Sequence, residues 1–309
     1  MVVINKRKIA IGIGVIFFLI YIITPYSWIL LTSFRTDADV LGGSIIPKEF
    51  TLQYWESLIT QKPVPGLVGS ATFAVIKNYP WALRNSIIVA CTTTLISVFA
   101  SALSGYTFAR MKYFGKEALF NLVLVSRMIP ALIILIPIFL IFRSLHLDDN
   151  LFSLSFIYSA LFIPMNCWLF RSYFMVIPRE IEEAALIDGC GRAQTIFKII
   201  LPLSLPGIIA VAIYTFMGSW NELFFALVLT HRKETQTIPV VAAMGVGEFG
   251  TQFGYLGVVT VVGTIIPVII ALALQRYIIA GLTLGWGKDK TSLKHFSLFM
   301  RIGVGDTTS

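Results

Sequence analysis

Between Pro178 and Pro202 the chain reads PREIEEAALIDGCGRAQTIFKIILP, a polar stretch set between long apolar runs. Its side chains could do chemistry, because Glu180, Glu182 and Glu183 crowd onto one short segment with Arg179, Asp188, Arg192 and Lys198 close by. Carboxylates so placed could share general acid and base duties or hold a hard cation. Either role needs partners that the sequence does not bring. His146, His231 and His295 are dispersed, as are Cys91, Cys167 and Cys190, so neither a zinc site nor a disulfide framework is indicated. No nucleophile elbow and no H-E-x-x-H occurs. A phosphate-cradling loop is missing too: before Gly287-Lys288 the required first glycine is Leu282, and Asp289 follows where Ser or Thr belongs. The acidic segment is therefore expected to be a docking surface or a solvated helix face, in a chain that holds no metal and no nucleotide of its own.

The elements that position this segment follow from its charge. Placing six of its charges at a bilayer centre would cost about 15 to 20 kcal/mol, so it cannot cross a membrane. Pro178 sits where a helix can begin, Glu180, Glu182 and Glu183 fall in its first turns, and Gly189 and Gly191 provide a stop. That pattern predicts a short helix, a glycine turn and a second segment in water.

The rest of the chain is apolar: 57% of the 309 residues are hydrophobic and only 13% are charged, far from the balance of a soluble domain. The net charge of +8 does not point to nucleic acid, because the basic residues lie scattered at the ends of apolar runs and form no dense stripe. Six spans are expected: 9–31, 84–109, 118–142, 151–174, 203–229 and 255–281. Residues 1–8 precede them, 32–83 form a long extramembrane loop with short helices, 84–281 form the core with the polar loop 175–202 inside it, and 282–309 form a tail. Lys6, Arg7, Lys8, Arg110, Lys112, Lys116, Arg171, Arg179, Arg192, Lys198 and Arg276 gather on one side, which the distribution of basic residues makes cytoplasmic. Both termini and the 178–202 segment share that side. Pro130, Pro137, Pro164, Pro206 and Pro267 interrupt the spans, as suits helices that move or line a cavity, although prolines are common in membrane helices generally. Arg127 and Glu222 are the charges placed deepest in apolar runs, and Glu222, within Trp220-Asn221-Glu222, is expected in a pathway or a structural pairing, the alternative being a position near the membrane surface.

Glu183-Ala184-Ala185, then Asp188-Gly189, then Ile199, Leu201 and Pro202 resemble the cytoplasmic signature of binding-protein-dependent ABC importer permeases, EAA, three residues, G, nine residues, I-x-LP. Asn85-Ser86, Met128-Ile129-Pro130, Ile136-Pro137 and Trp220-Asn221-Glu222 are similar to the carbohydrate branch, and in particular to its maltose-type six-span subunit. The resemblance covers about residues 5–288. It implies an all-α polytopic membrane protein of the type I ABC importer permease fold, with a coupling helix between spans four and five, in a bacterial inner membrane. It further implies a second homologous permease, two ATPase subunits that hold ATP and Mg, and an external solute-binding protein, besides the surrounding lipid. Glu183, Ala184, Ala185, Leu186, Asp188 and Gly189 are then the contact with the ATPase, and Ile199, Leu201 and Pro202 close the loop. The implied solute is a sugar or oligosaccharide, with Trp220, Asn221, Glu222 and Tyr214 as pathway residues and Trp168 and Tyr173 as further aromatics. Another polar solute, a secondary transporter without ATPase and a membrane-embedded enzyme are the competing readings; the last lacks a catalytic cluster. The chain also continues past Gly281-Leu282-Thr283, where permeases of this type end, through the segment LKHFSLFMRIGV.

Overall fold

The computed structural model describes residues 6–44, 47–64, 70–247 and 250–284. Expectations for the tail beyond residue 284 and for the first five residues lie outside them. The elements in order are α1 (Lys6–Thr32), α2 (Asp37–Leu41), α3 (Gln53–Thr60), α4 (Ser70–Arg110), α5 (Lys116–Ser126), α6 (Ala131–Ser144), α7 (Leu151–Val176), α8 (Arg179–Ile187), α9 (Arg192–Thr195), a π-turn (Ile196–Ile200), α10 (Leu201–Leu203), α11 (Leu205–Trp220), α12 (Phe224–Leu229), α13 (Ile238–Met244) and α14 (Phe253–Leu284). A two-residue antiparallel ribbon, Val246–Gly247 with Gly250–Thr251, is the one departure from helix among the described elements.

Among the described residues, four helices are long and apolar enough to cross a membrane alone, and the count reaches six when two broken pairs are each taken as one crossing. Helix α1 buries none of its apolar window within the chain, so its faces are left for lipid or another subunit. The spans read from the sequence differ in three places. Helix α4 starts at Ser70 rather than Arg84, because Val75, Ile76 and Tyr79 are buried and Asn78 donates to the Gln236 side chain at 2.9 Å. That packing outweighs the donor lost at Pro80. The third apolar run is not one helix: it is broken between Ser126 and Ala131, with Pro130 heading α6. The fifth run is three pieces, because the chain turns by 77° at Ser204 and α11 ends at Trp220.

The chain resolves into two compact units. The first comprises Met1–Thr93, Pro130–Tyr158 and Phe216–Ile270. Its core joins Tyr54, Ala82, Ala90, Trp220, Val241 and Val258, with the Tyr54 ring edge-on to Tyr255 at 4.9 Å. Asn85 donates to the Glu234 and Gln236 carbonyls at 2.8 and 2.9 Å, and the Ser86 hydroxyl accepts the Ile238 amide. The Asn85-Ser86 pair thus fastens the 230–238 segment to α4. The same segment is held from α7's leading loop, where the Asp149 carboxylate accepts the His231 and Arg232 amides and the Thr235 hydroxyl. Burial pushes the Asp149 carboxyl up, but these three donors outweigh it and hold the group below the usual carboxylate range.

The second unit comprises Thr94–Ile129, Ser159–Thr215 and Ala271–Ser309. Phe170 and Phe174 stack at 5.7 Å in its core with Tyr106, Ile200 and Val211 around them. Asn166 on α7 is fully buried and donates to Ser97 on α4 and Thr215 on α11, each at 2.8 Å. A polar side chain pairing with two others in an apolar setting ties three membrane helices at one point.

Candidate coupling site

Helix α8 owes its boundaries to residues the sequence makes obvious. Pro178 stands at the N-cap in extended conformation, and Glu180 and Glu182 lie in the first turn, where unpaired amides favour negative charge. At the other end Asp188 is the C-cap and Gly189 follows at φ +86°. The Cys190 amide donates to the Ala185 carbonyl and the Gly189 amide to Leu186, the pair of bonds that defines a Schellman turn. The glycine of the EAA-x3-G pattern is therefore a backbone requirement, since a left-handed residue there closes the helix.

The faces of α8 divide sharply. Ala185 is 4% exposed and Ile181 packs on the Phe170, Phe174 and Ile200 cluster, so this face belongs to the chain's own core. Glu182 turns the same way: its Oε1 lies 2.8 Å from Arg110 Nε, and its Oε2 accepts the Tyr106 hydroxyl at 3.3 Å. Glu180, Glu183, Ala184 and Asp188 face outward, together with Leu186 at 49% and Ile187 at 85% exposure. The structure therefore splits the acidic cluster and removes Ala185 from the outward surface. Two exposed apolar side chains, Leu186 and Ile187, thus lie beside carboxylates and a small residue on the outward face.

Beyond Gly191 the chain runs through α9, the π-turn and α10. Leu201 packs against the Phe174 and Ile200 cluster, Ile199 is half-buried and Pro202 is exposed. The fully buried residue here is Ile200, which the spacing of the motif does not single out. Ser204, also fully buried, returns its amide and hydroxyl to the Ile200 carbonyl at the turn into α11.

The residues expected along a pathway are not alike. Trp220 is 4% exposed, stacks on Phe216 at 5.7 Å and donates to the Gly263 carbonyl at 3.1 Å, so its ring is core packing and offers no face to a solute. Glu222 is a helix cap: its carboxylate accepts the Phe224 and Phe225 amides at 2.9 and 3.1 Å, opening α12, and the Tyr158 hydroxyl as well. Glu222 is thus paired within the chain, with Tyr158 and the start of α12. Asn221 and Tyr214 are exposed, the latter with its ring edge-on to Phe162. Trp168 is exposed and Tyr173 half-buried against Gly207. Arg127 sits at the α5–α6 break and donates to the Leu161 carbonyl at 3.0 Å. Among the described residues no three metal-ligating side chains come together.

Residues 95–283 match the family described as binding-protein-dependent transport system inner membrane component. The chain is 32% identical over 280 residues to the trehalose/maltose transport system permease protein MalG of Thermococcus litoralis, covering 90% of this chain and 96% of that protein. Over 267 residues it is 32% identical to the trehalose transport system permease protein SugB of Mycobacterium tuberculosis, covering 86% and 92%. A solved chain of a bacterial ABC transporter involved in import of the acidic polysaccharide alginate superposes with a TM-score of 0.69 at 21% identity, over 88% of this chain and 95% of that one. The chain belongs to the family of inner membrane components of binding-protein-dependent transport systems, as a membrane-spanning permease subunit of an ABC importer and not as an enzyme.

Proposed function

We propose that this permease carries a sugar or oligosaccharide, lines the route with a homologous permease, and draws its energy through residues 178–202 from two ATPase subunits that hold Mg and ATP. The observation that carries the coupling assignment is the outward face of α8: Glu183, Ala184, Leu186 and Ile187 stand exposed on a helix whose opposite face is anchored in the core. A rigid helix clamped by a neighbour passes a rigid-body motion to the helices on either side of it. Residues 178–202 and both termini then lie in the cytoplasm, and an external binding protein delivers the solute on the opposite side. The sugar assignment rests on relatives named for trehalose, maltose and sulfoquinovosyl glycerol. The fold does not choose the solute, since a methionine importer chain shares it with a TM-score of 0.54.

The test is Gly189→Trp in the complete transporter. Nothing lies within 4 Å of a Cβ built at Gly189, so the first side-chain atom meets nothing in the chain, although the φ of +86° strains it. Gly189→Asn carries the same backbone demand with less strain, because Asn tolerates the left-handed region. Uptake of labelled maltose and trehalose into cells is expected to persist in Gly189→Asn and to vanish in Gly189→Trp, with both variants inserted at normal levels. Normal uptake in Gly189→Trp would refute coupling through this face.

A further inference from the structure

The joint between α7 and α8 is a short extended link at Ile177 and Pro178, and such a link by itself fixes the position of α8 but not its direction. Arg110, the last residue of α4, touches both sides of that joint. Its guanidinium donates to the Ile177 carbonyl and lies 2.8 Å from Glu182 on α8. Tyr106, one turn earlier on α4, donates to the other oxygen of the same carboxylate and sets its ring edge-on to Phe174 on α7. Both carboxylate oxygens of Glu182 are thus directed at α4.

The charges suit their places. Arg110 ends a helix, where carbonyls favour a cation, and Glu182 begins one, where amides favour an anion. The side chains are only 7% and 14% exposed, so the pair is shielded from water. Taking two ions out of water is a poor way to add stability, and shielded pairs of this kind serve better to fix one geometry among several.

We propose that Arg110 and Glu182, with Tyr106, form a strut that carries the movement of α8 directly into α4, making them positioning residues for transport. This rests on the reading of α8 as the ATPase contact. Without the strut, Ile181 would still rest on the cluster that includes Tyr106 and Ala109 of α4, but no directed bond would join α8 to the end of α4, and less of its movement would reach α4.

The experiment compares hydrogen exchange in the complete transporter, purified with its ATPase subunits and binding protein, with and without Mg-ATP and vanadate. In the unaltered complex, nucleotide is expected to change exchange both in 179–203 and in the last turns of α4, 100–112. In Glu182→Gln, which keeps shape and a hydrogen bond to Tyr106, and in Arg110→Gln, the change in 179–203 should remain while that in 100–112 falls at least about threefold. A full response of 100–112 in both variants overturns the strut, as does its absence in the unaltered complex. Loss of the response in 179–203 as well would overturn it in favour of a simple docking role. Gly189→Trp separates the two claims: if its responses are normal, the coupling assignment itself fails. If it loses both responses while Arg110→Gln keeps both, only the strut fails.

Discussion

Gly105 lies where α4 meets α7, and a methyl group there would come 2.6 Å from Phe170 Cβ and 3.1 Å from both the Arg171 nitrogen and the Cys167 carbonyl oxygen. Carbon atoms settle at roughly 3.5 to 4 Å, so the helices would have to part by about 1 Å. None of the three atoms is the loose end of a side chain, which leaves backbone displacement as the only relief. Overpacking of this kind costs about 1 to 3 kcal/mol. At about 1.4 kcal/mol per tenfold, that is roughly 5- to 150-fold in the population of locally opened chains. Cys167 reports on the same contact, because it is buried on α7 beside Phe108 and Phe120. With Cys91 and Cys190 replaced by serine, Gly105→Ala should speed maleimide labelling of Cys167 in detergent micelles by a factor in that range. Gly12→Ala, where nothing lies within 4 Å, should not change it. Equal labelling rates in Gly105→Ala and the parent would refute the inference that this glycine sets the α4–α7 distance.

Two further outcomes follow from the 230–238 segment. Asn85→Ala leaves the buried Gln236 carbonyl and the partly shielded Glu234 carbonyl without their donor, at about 1 to 3 kcal/mol for the buried one, so exchange in 230–238 should rise at least about fivefold. Asp149 is held below its ordinary value when folded, so its contribution is fully present above the unfolded value of about 3.9 and is lost as pH falls through the lower folded one. Exchange in 230–238, corrected for intrinsic rates, should therefore stay flat from pH 6 down to the carboxylate range and rise below it. Asp149→Asn should remove that dependence; an unchanged profile would show that the three donors do not hold this carboxylate.

Much of the coupling segment could be read from residues alone. Pro178, the carboxylates after it and Gly189 mark a helix and its stop, and the structure adds why glycine is needed, a left-handed closing residue. Which carboxylate faces where could not be read. Glu182 and Glu183 are neighbours of one type, about 100° apart around a helix, and only the arrival of Arg110 from a distant stretch assigns one inward. Glu222 shows the same limit: an acid inside an apolar run reads as a pathway signal until three amides at the start of α12 and Tyr158 are seen to surround it. Trp220 reads from the sequence as packing more readily than as a surface for a sugar, and the structure sets it against Phe216 and the Gly263 carbonyl. The early start of α4 was hidden because Lys77, Asn78 and Pro80 look like loop residues, while their helix is paid for by contacts with residues far along the chain.

The break between α5 and α6 also bears on how the protein crosses its membrane. At 1.5 Å per residue the two pieces reach only about 17 and 21 Å, each short of a hydrocarbon core of about 30 Å. Neither piece alone is long enough to cross it. Arg127 at the break finds its acceptor on Leu161, in a helix synthesised later. The third crossing therefore takes both pieces together, and the bond from Arg127 ties its break to α7.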